Sequence, residues 1–120
     1  MPQERLEWSP EELYERLAHE NALCLLDVRP GNACGSSTIQ TPYSGPVTKL
    51  SYEAFETDER EALHHLPFDR EQEIVVFCGK GLNSLKVTER LLRHGYRARG
   101  LQGGITAWSQ HLAKLSGEEG

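Results

Sequence analysis

The protein has 120 residues, which is enough for one compact domain that buries roughly two-thirds of the surface its unfolded chain exposes. With 38% hydrophobic and 26% charged residues the composition is typical of a globular protein, and the net charge of −5 argues against nucleic acid or an anionic membrane as a partner. No apolar run approaches the roughly 20 residues of a membrane span, and residues 1–5 lack the pattern of a secretory signal, so we expect a cytoplasmic protein.

The first half of the chain predicts a helix, a strand and a long loop. The Ser-Pro-Glu-Glu sequence at residues 9–12 is typical of a helix start, and the apolar spacing after it predicts a helix through His19. The short apolar run of residues 22–28 indicates a buried parallel strand. Residues 30–49 are rich in Gly, Ser, Thr and Pro, which indicates a long loop of the kind that is usually functional or mobile.

The second half alternates helices and strands more regularly. The predicted elements are helices at residues 52–66, 84–94 and 105–115 and strands at residues 73–78 and 96–101. The inward-facing residues of the helix at 84–94 are expected to be Leu85, Thr88, Leu91 and Leu92. This alternation predicts an α/β fold with a parallel sheet, in which ligands bind outside the carboxyl ends of the strands.

Cys78 has the most informative surroundings in the sequence. It ends the predicted strand at 73–78, and a glycine-rich turn separates it from a helix that opens at Ser84. Backbone amides of such a turn, together with the positive end of a helix, favour an anion, so we expect a nucleophilic thiolate at neutral pH. A cysteine that only fills space is the alternative, but it leaves Gly79 and Gly81 unexplained, because glycine costs chain entropy unless the backbone turns sharply or approaches a ligand.

The other two cysteines and the histidine pair are weaker candidates. No pair of cysteines has Cys-x-x-Cys spacing, which argues against a zinc ribbon or a dithiol motif. Cys24 lies in an apolar strand and is expected to pack in the core. Cys34 lies in the long loop, where it is either an incidental thiol or a partner that forms a disulfide with Cys78. Adjacent His64 and His65 point apart on a helix, which favours a solvated face over a metal site.

Several segments carry a family resemblance, namely residues 25–29, 74–84, 95–96 and 101–108. Their order and spacing resemble a single rhodanese-like sulfurtransferase domain over about residues 6–112 of the chain. The resemblance implies one domain over residues 1–120 with a frayed tail at 116–120, and a five-stranded, mostly parallel sheet flanked by helices on both faces.

The same resemblance implies a reaction and a site. Cys78 would accept a sulfane sulfur from thiosulfate or a persulfide, carry it as a persulfide, and pass it to a thiol or to cyanide. No metal or organic cofactor is implied. The residues that would bind the substrate are those of the loop: Gly79, Lys80, Gly81, Leu82, Asn83 and Ser84.

Departures from the family pattern sharpen these expectations. Ser84 stands where a cysteine phosphatase of this fold has an arginine, which argues against phosphoryl transfer. Asn83 stands where many family members have an arginine, and Lys80 is the one cation of the loop, so a neutral or bulky persulfide is expected to be a better donor than thiosulfate. If Thr41-Pro42 begins the next strand, the preceding loop is several residues shorter than usual and the pocket is more open. This form is similar to domains paired with persulfide dioxygenases, so a sulfur-relay or persulfide dioxygenase protein is a candidate partner.

Two alternatives to a sulfurtransferase stay open. One is a non-catalytic interaction or regulatory module that keeps the fold, and the other is a thiol redox enzyme that uses Cys34 and Cys78.

Elsewhere in the chain, Asp27 and Arg29 are expected to form an ion pair that braces the loops, with substrate contact by Arg29 as the alternative. Trp108 is expected to anchor the core. The cluster of Arg90, Arg93, Arg97 and Arg99 is expected to be solvated surface, with an acidic partner as the alternative.

Overall fold

The computed structural model describes residues 6–19, 23–30 and 47–115 of the chain. The strands are β1 (Glu7–Trp8), β2 (Cys24–Asp27), β3 (Val47–Lys49), β4 (Glu73–Phe77) and β5 (Arg97–Leu101). The helices are α1 (Pro10–His19), α2 (Tyr52–Thr57), α3 (Glu59–His64), α4 (Leu82–Arg93) and α5 (Gly104–Leu115). Within these ranges, none of the helices has the length and apolar character needed to cross a bilayer.

The five strands form one sheet in the order β1-β5-β4-β2-β3, and every pair is parallel. The central strand is β4, whose run of β-branched and aromatic residues suits a position buried on both faces. Because all five strands run the same way, their carboxyl ends meet at one edge of the sheet. The predicted α/β fold is confirmed, and the sheet is wholly parallel in the described residues.

Helices cover both faces of the sheet and enclose two cores. On one face α1 and α5 pack against Val75 and Phe77 of β4. On the other face α2, α3 and α4 pack against Ile74, Val76 and the following Cys78. Alternation along β4 therefore places the Cys78 side chain on the α4 face, opposite to α5.

The predicted helix at 52–66 is two helices, which is a correction. Asp58 adopts an extended conformation between α2 and α3, and its side chain accepts a hydrogen bond from the Glu61 amide at 3.2 Å. Aspartate is a strong N-cap residue, so it starts a new helix rather than continuing the old one.

Helix α4 begins at Leu82 instead of Ser84, and its buried face differs from the prediction. The fully buried residues of α4 are Ser84, Val87, Thr88 and Leu91, whereas the predicted Leu85 and Leu92 are half-buried. At the start of α1, by contrast, the predicted cap forms, since the Ser9 hydroxyl accepts from the Glu12 amide and the Glu12 carboxylate accepts from the Ser9 amide, both at 3.1 Å.

Strand β3 lies inside the segment that was predicted to be a loop. Its residues Val47–Lys49 pair with β2, so the strand beside β2 lies after the Thr41-Pro42 position on which the shortened loop depended, and that inference loses its premise. Residues 31–46, which include Cys34, and the expected tail at 116–120 lie outside the described residues. Strand β1 has two residues and was not predicted.

Candidate active site

Cys78 follows β4 directly, one residue beyond the end of the strand, at the carboxyl edge of the sheet. The residue is 4% exposed, so its sulfur lies at the bottom of the loop and not on the open surface. It was predicted to be the last strand residue, and the structure shifts that boundary by one position. The edge location is the one at which parallel α/β sheets bind their ligands.

Two backbone amides donate to the Cys78 sulfur. The Gly81 amide lies 3.0 Å from Sγ and the Ser84 amide 3.4 Å from it. The thiol also lies 3.5 Å from Ser84 Oγ, to which it donates in the neutral form. Because both amides aim their positive ends at one sulfur, they stabilise negative charge there, as the glycine-rich turn predicts.

The remaining amides of the loop are unused. Among the described residues, no acceptor faces the N–H groups of Gly79, Lys80, Leu82 and Asn83. Leu82 and Asn83 open α4, where the first N–H groups have no intrahelical partner, and Gly79 and Lys80 lie in the turn before it. The loop therefore has amides besides those of Gly81 and Ser84 that have no acceptor of their own.

The two loop glycines have different roles. Gly81 has φ +98 and forms the N-cap of α4, and a Cβ there would lie 3.0 Å from the Gly103 nitrogen. Gly79 has no atom within 4 Å of the place a Cβ would occupy. Gly81 is thus required by backbone conformation, whereas the space where Gly79 would carry a side chain is open.

The side chains around the loop are only weakly charged. Lys80 is exposed, Leu82 is 73% exposed, and Asn83 is half-buried. Ser84 is fully buried, and its hydroxyl oxygen accepts from the Cys78 thiol. The structure therefore brings the predicted loop residues around Cys78. Main-chain donors lie inside the loop, and the side chains of Lys80, Leu82 and Asn83 lie at its rim.

The predicted ion pair of Asp27 and Arg29 forms at the end of β2. Arg29 donates to the Asp27 carboxylate through its amide at 3.0 Å and through Nη2 at 2.9 Å, and Lys49 Nζ lies 3.3 Å from the same carboxylate. Burial alone would raise the pKa of Asp27, but the hydrogen bonds and charge of Arg29, with the charge of Lys49, outweigh it and lower the pKa. Asp27 alternates with residues of the α4-side core, so this cluster lies on the sheet face opposite to the Cys78 side chain.

Cys24 cannot act together with Cys78. It lies beside Ile74 at the other end of the sheet, and the four residues from there to Cys78 span about 13 Å, well beyond disulfide reach. Burial raises the pKa of the Cys24 thiol, and the charge of Asp69 raises it further. Core packing of Cys24 is therefore confirmed as its role, and Cys34 lies outside the described residues.

The remaining candidates have structural roles. His64 and His65 are exposed, and the described ranges contain no group of three residues placed to hold a metal ion. Trp108 is 1% exposed and belongs to the α1–α5 core. Of the arginine cluster, Arg90 pairs with Glu59, Arg97 lies 3.8 Å from Glu73, and Arg99 stacks on the Trp8 ring.

The contact between the cysteine loop and the first turn of α5 was not predicted from the sequence. The first amides of α5 donate to the loop carbonyls, from Ile105 to Cys78 at 2.9 Å and from Thr106 to Gly79 at 3.1 Å. The signal in the sequence is the pair Gly103-Gly104, which indicates a turn but not what the turn packs against.

A family model and solved structures match this fold. The model for the rhodanese-like domain matches residues 9–111. A rhodanese-related protein from Thermoplasma volcanium is 20% identical with a TM-score of 0.68, over 90% of this chain and 93% of the other. A rhodanese homolog from Thermus thermophilus is 26% identical with a TM-score of 0.59, over 86% of this chain and 99% of the other.

One neighbour is described in other terms. A protein of unknown function from Rhodopseudomonas palustris, described as a possible tyrosine phosphatase, is 14% identical with a TM-score of 0.66, over 92% of this chain and 96% of the other. At that identity the likeness concerns the fold alone. No curated protein matches the sequence.

Proposed function

Because the chain belongs to the family of rhodanese-like domains, we propose that it is a sulfurtransferase in which Cys78 carries the transferred sulfur as a persulfide. The observation that carries the proposal is the pair of amides, from Gly81 and Ser84, that lie 3.0 and 3.4 Å from the Cys78 sulfur. Such donors stabilise a thiolate before the reaction and an anionic persulfide after it.

The first half-reaction loads the sulfur. The Cys78 thiolate attacks the outer sulfur of the donor, an S–S bond forms, and the donor's own S–S bond breaks with its electron pair on the leaving group. Thiosulfate leaves as sulfite, and a persulfide leaves as its thiolate. The amides of Gly81 and Ser84 lie at the sulfur that carries the transferred atom, and the amides of Lys80, Leu82 and Asn83 belong to the same loop.

The second half-reaction unloads it. A thiolate or cyanide attacks the outer sulfur of the persulfide, which gives a new persulfide or thiocyanate and returns Cys78 as a thiolate. Each step is a displacement at sulfur in which one nucleophile, a thiolate, cyanide or sulfite, replaces another. Neither step therefore needs an external oxidant or reductant. The described residues therefore supply binding, orientation and charge stabilisation for both steps.

The rim of the loop favours donors with little charge at the reacting end. Thiosulfate is a dianion, and the loop offers it one flexible, exposed ammonium, from Lys80, with the uncharged Asn83 beside it. A persulfide reacts through a single projecting sulfur and suits a cysteine that is 4% exposed, with open space beside Gly79. Persulfides, small or carried by a protein, are thus the proposed donors.

A phosphatase reading is less well supported. Phosphoryl transfer at a cysteine loop needs a cation that grips the phosphate oxygens with two parallel hydrogen bonds. Six residues after Cys78 the structure places the buried hydroxyl of Ser84, which carries no charge and lies 3.5 Å from the sulfur.

The expectation of a persulfide dioxygenase partner rested on the shortened loop, and the position of β3 at Val47–Lys49 removes that support.

The decisive experiment is the intact mass of the protein after treatment with thiosulfate, glutathione persulfide or an uncharged alkyl persulfide. We expect a gain of one sulfur atom, about 32 Da, that is larger in yield with the persulfides and absent in Cys78→Ser. Cys24→Ser is the matched control and should load like the wild type, because Cys24 lies at the far end of the sheet.

Each alternative has its own outcome in the same assay. No adduct with any donor would overturn the proposal in favour of a binding module that keeps the fold. A loss of two hydrogens after mild oxidation, dependent on both Cys34 and Cys78 and without any stable sulfur adduct, would overturn it in favour of a thiol redox enzyme.

A further inference from the structure

The cysteine loop is held from behind by the first turn of α5. The Ile105 amide donates to the Cys78 carbonyl at 2.9 Å, and the Thr106 amide donates to the Gly79 carbonyl at 3.1 Å. The first amides of a helix have no intrahelical acceptors, and here the loop carbonyls accept from two of them. The positive end of the α5 dipole faces these two carbonyls.

These contacts fix the direction of two peptide groups. In a trans peptide the carbonyl and the following N–H point in opposite directions. With the carbonyls of Cys78 and Gly79 directed at α5, the N–H groups of Gly79 and Lys80 point away from α5. The Cys78 side chain lies on that same side, in the core formed with α4.

Close approach between the two segments depends on missing side chains. Gly104 has φ +65, and a Cβ there would lie 2.5 Å from both the Cys78 and the Gly79 carbonyl oxygens. On the loop side, a Cβ at Gly81 would lie 3.0 Å from the Gly103 nitrogen. Both faces of the contact are therefore bare backbone, and a single added methyl group at Gly104 must push them apart.

We infer that the first turn of α5 positions the cysteine loop for sulfur chemistry, with Gly104 and the Thr106 backbone amide as its positioning elements. By holding the Cys78 and Gly79 carbonyls, this turn directs the N–H groups of Gly79 and Lys80 away from α5, and it anchors the start of the loop whose Gly81 and Ser84 amides donate to the sulfur. The inference deepens the proposed sulfurtransferase function and rests on it. It assigns to α5 a role that its core packing through Trp108 does not require.

The sharpest test compares Thr106→Pro with Thr106→Ala. Thr106 is exposed and lies in the first turn of α5, where proline is tolerated, so the proline removes one N–H and the alanine keeps it. We expect Thr106→Pro to slow alkylation of Cys78 by iodoacetamide about five- to tenfold at neutral pH and to move the alkylation–pH profile upward. Thr106→Ala should follow the wild type in both, with the Cys78 peptide resolved by mass spectrometry.

A second pair guards against misfolding of the proline variant. Gly104→Ala and Gly95→Ala both place a methyl group at a positive φ, +65 and +87, but a Cβ at Gly95 meets only the Arg70 side chain at 3.4 Å. Gly104→Ala should lose more in melting temperature because of its 2.5 Å backbone contacts, and slower Cys78 alkylation in Gly104→Ala alone, measured well below both melting temperatures, would support the inference. Equal alkylation rates and pH profiles within both pairs would overturn it.

Sulfur loading separates the two proposals. If the wild type gains no sulfur from any donor, the sulfurtransferase proposal fails, while the alkylation comparison still decides whether α5 positions the loop. If the wild type loads and Thr106→Pro loads and alkylates as fast as Thr106→Ala, the positioning role fails and the sulfurtransferase proposal stands.

Discussion

Asp27 and Cys78 lie at the carboxyl ends of neighbouring strands, and the protein holds their side chains in different ways. At the end of β2, the Asp27 carboxylate is held by the charged side chains of Arg29 and Lys49. After β4, the Cys78 sulfur is held by neutral main-chain amides. The full positive charges of Arg29 and Lys49 favour the ionised form of the Asp27 carboxyl group and hold it in one orientation. Dipoles without net charge tolerate a group whose charge changes, so the difference suits the Asp27 site to bracing and the Cys78 site to the proposed sulfur chemistry.

The largest effect is expected from breaking the charged site. Asp27→Asn removes the carboxylate charge that Arg29, which is 8% exposed, and Lys49 both contact. We expect a loss of about 3 kcal/mol in the free energy of unfolding, measured by urea denaturation. Glu73→Gln is the matched control, because its 2.6 Å pair with Arg16 is about one-third exposed and should contribute less than about 1 kcal/mol. Equal losses would show that the Asp27 site does not differ from a surface ion pair.

Acid titration gives an independent check on the same site. The folded-state pKa of Asp27 is lowered, so its contribution is fully present above the unfolded value of about 3.9 and is lost as pH falls through the folded value. Wild-type stability should therefore decline below about pH 4 more steeply than that of Asp27→Asn. Parallel curves would contradict the assignment.

A smaller effect is expected from the two glycines of the neutral site. Gly81→Ala forces a side chain into φ +98 beside the Gly103 nitrogen, and should cost about 1–2 kcal/mol while slowing Cys78 alkylation. Gly79→Ala meets no atom within 4 Å and should leave the free energy of unfolding unchanged within about 0.5 kcal/mol, while it slows loading from bulky persulfides. Urea denaturation and loading rates measure both. Similar losses in the free energy of unfolding for Gly81→Ala and Gly79→Ala would contradict the claim that only Gly81 is required by the backbone conformation.

The smallest effect is expected from adding a charge to the neutral site. Asn83→Arg supplies a planar cation at the half-buried rim of the loop. We expect kcat/KM with thiosulfate to rise about tenfold, because a hydrogen bond to a charged group contributes on the order of 1.5 kcal/mol, with little change for an uncharged alkyl persulfide. Asn83→Gln, which adds length without charge, is the control. An equal rise with both donors would show that charge at this rim does not select the donor.

Sequence reasoning succeeded where one local pattern decided the structure. The run of apolar residues in β4, the Ser9–Glu12 cap and the Gly81 turn each follow from neighbouring residues. It failed at β1 and β3, whose two and three residues are too short to show a period and exist because a neighbouring strand pairs with them. The break at Asp58 was missed because the apolar spacing on its two sides is compatible with one continuous helix.

The site was predicted as a local turn, and its non-local half was not. The loop from Cys78 to Ser84 and its inward amides follow from glycine spacing next to a strand end. The contacts of Ile105 and Thr106 join segments more than twenty residues apart, and no local pattern specifies which carbonyls a helix start will meet. The Asp27–Arg29 pair lay between these cases, since two residues of spacing at a strand end already suggested it.

Construction of the sulfur site from peptide groups has an evolutionary consequence. Lys80, Leu82 and Asn83 keep their N–H groups whatever side chains they bear, and those side chains are exposed or half-buried. If Cys78 carries sulfur as proposed, mutation at these three positions can change which donor is accepted while the Gly81 and Ser84 amides stay in place at the sulfur. Donor selectivity and the reactivity of the sulfur would then be inherited separately.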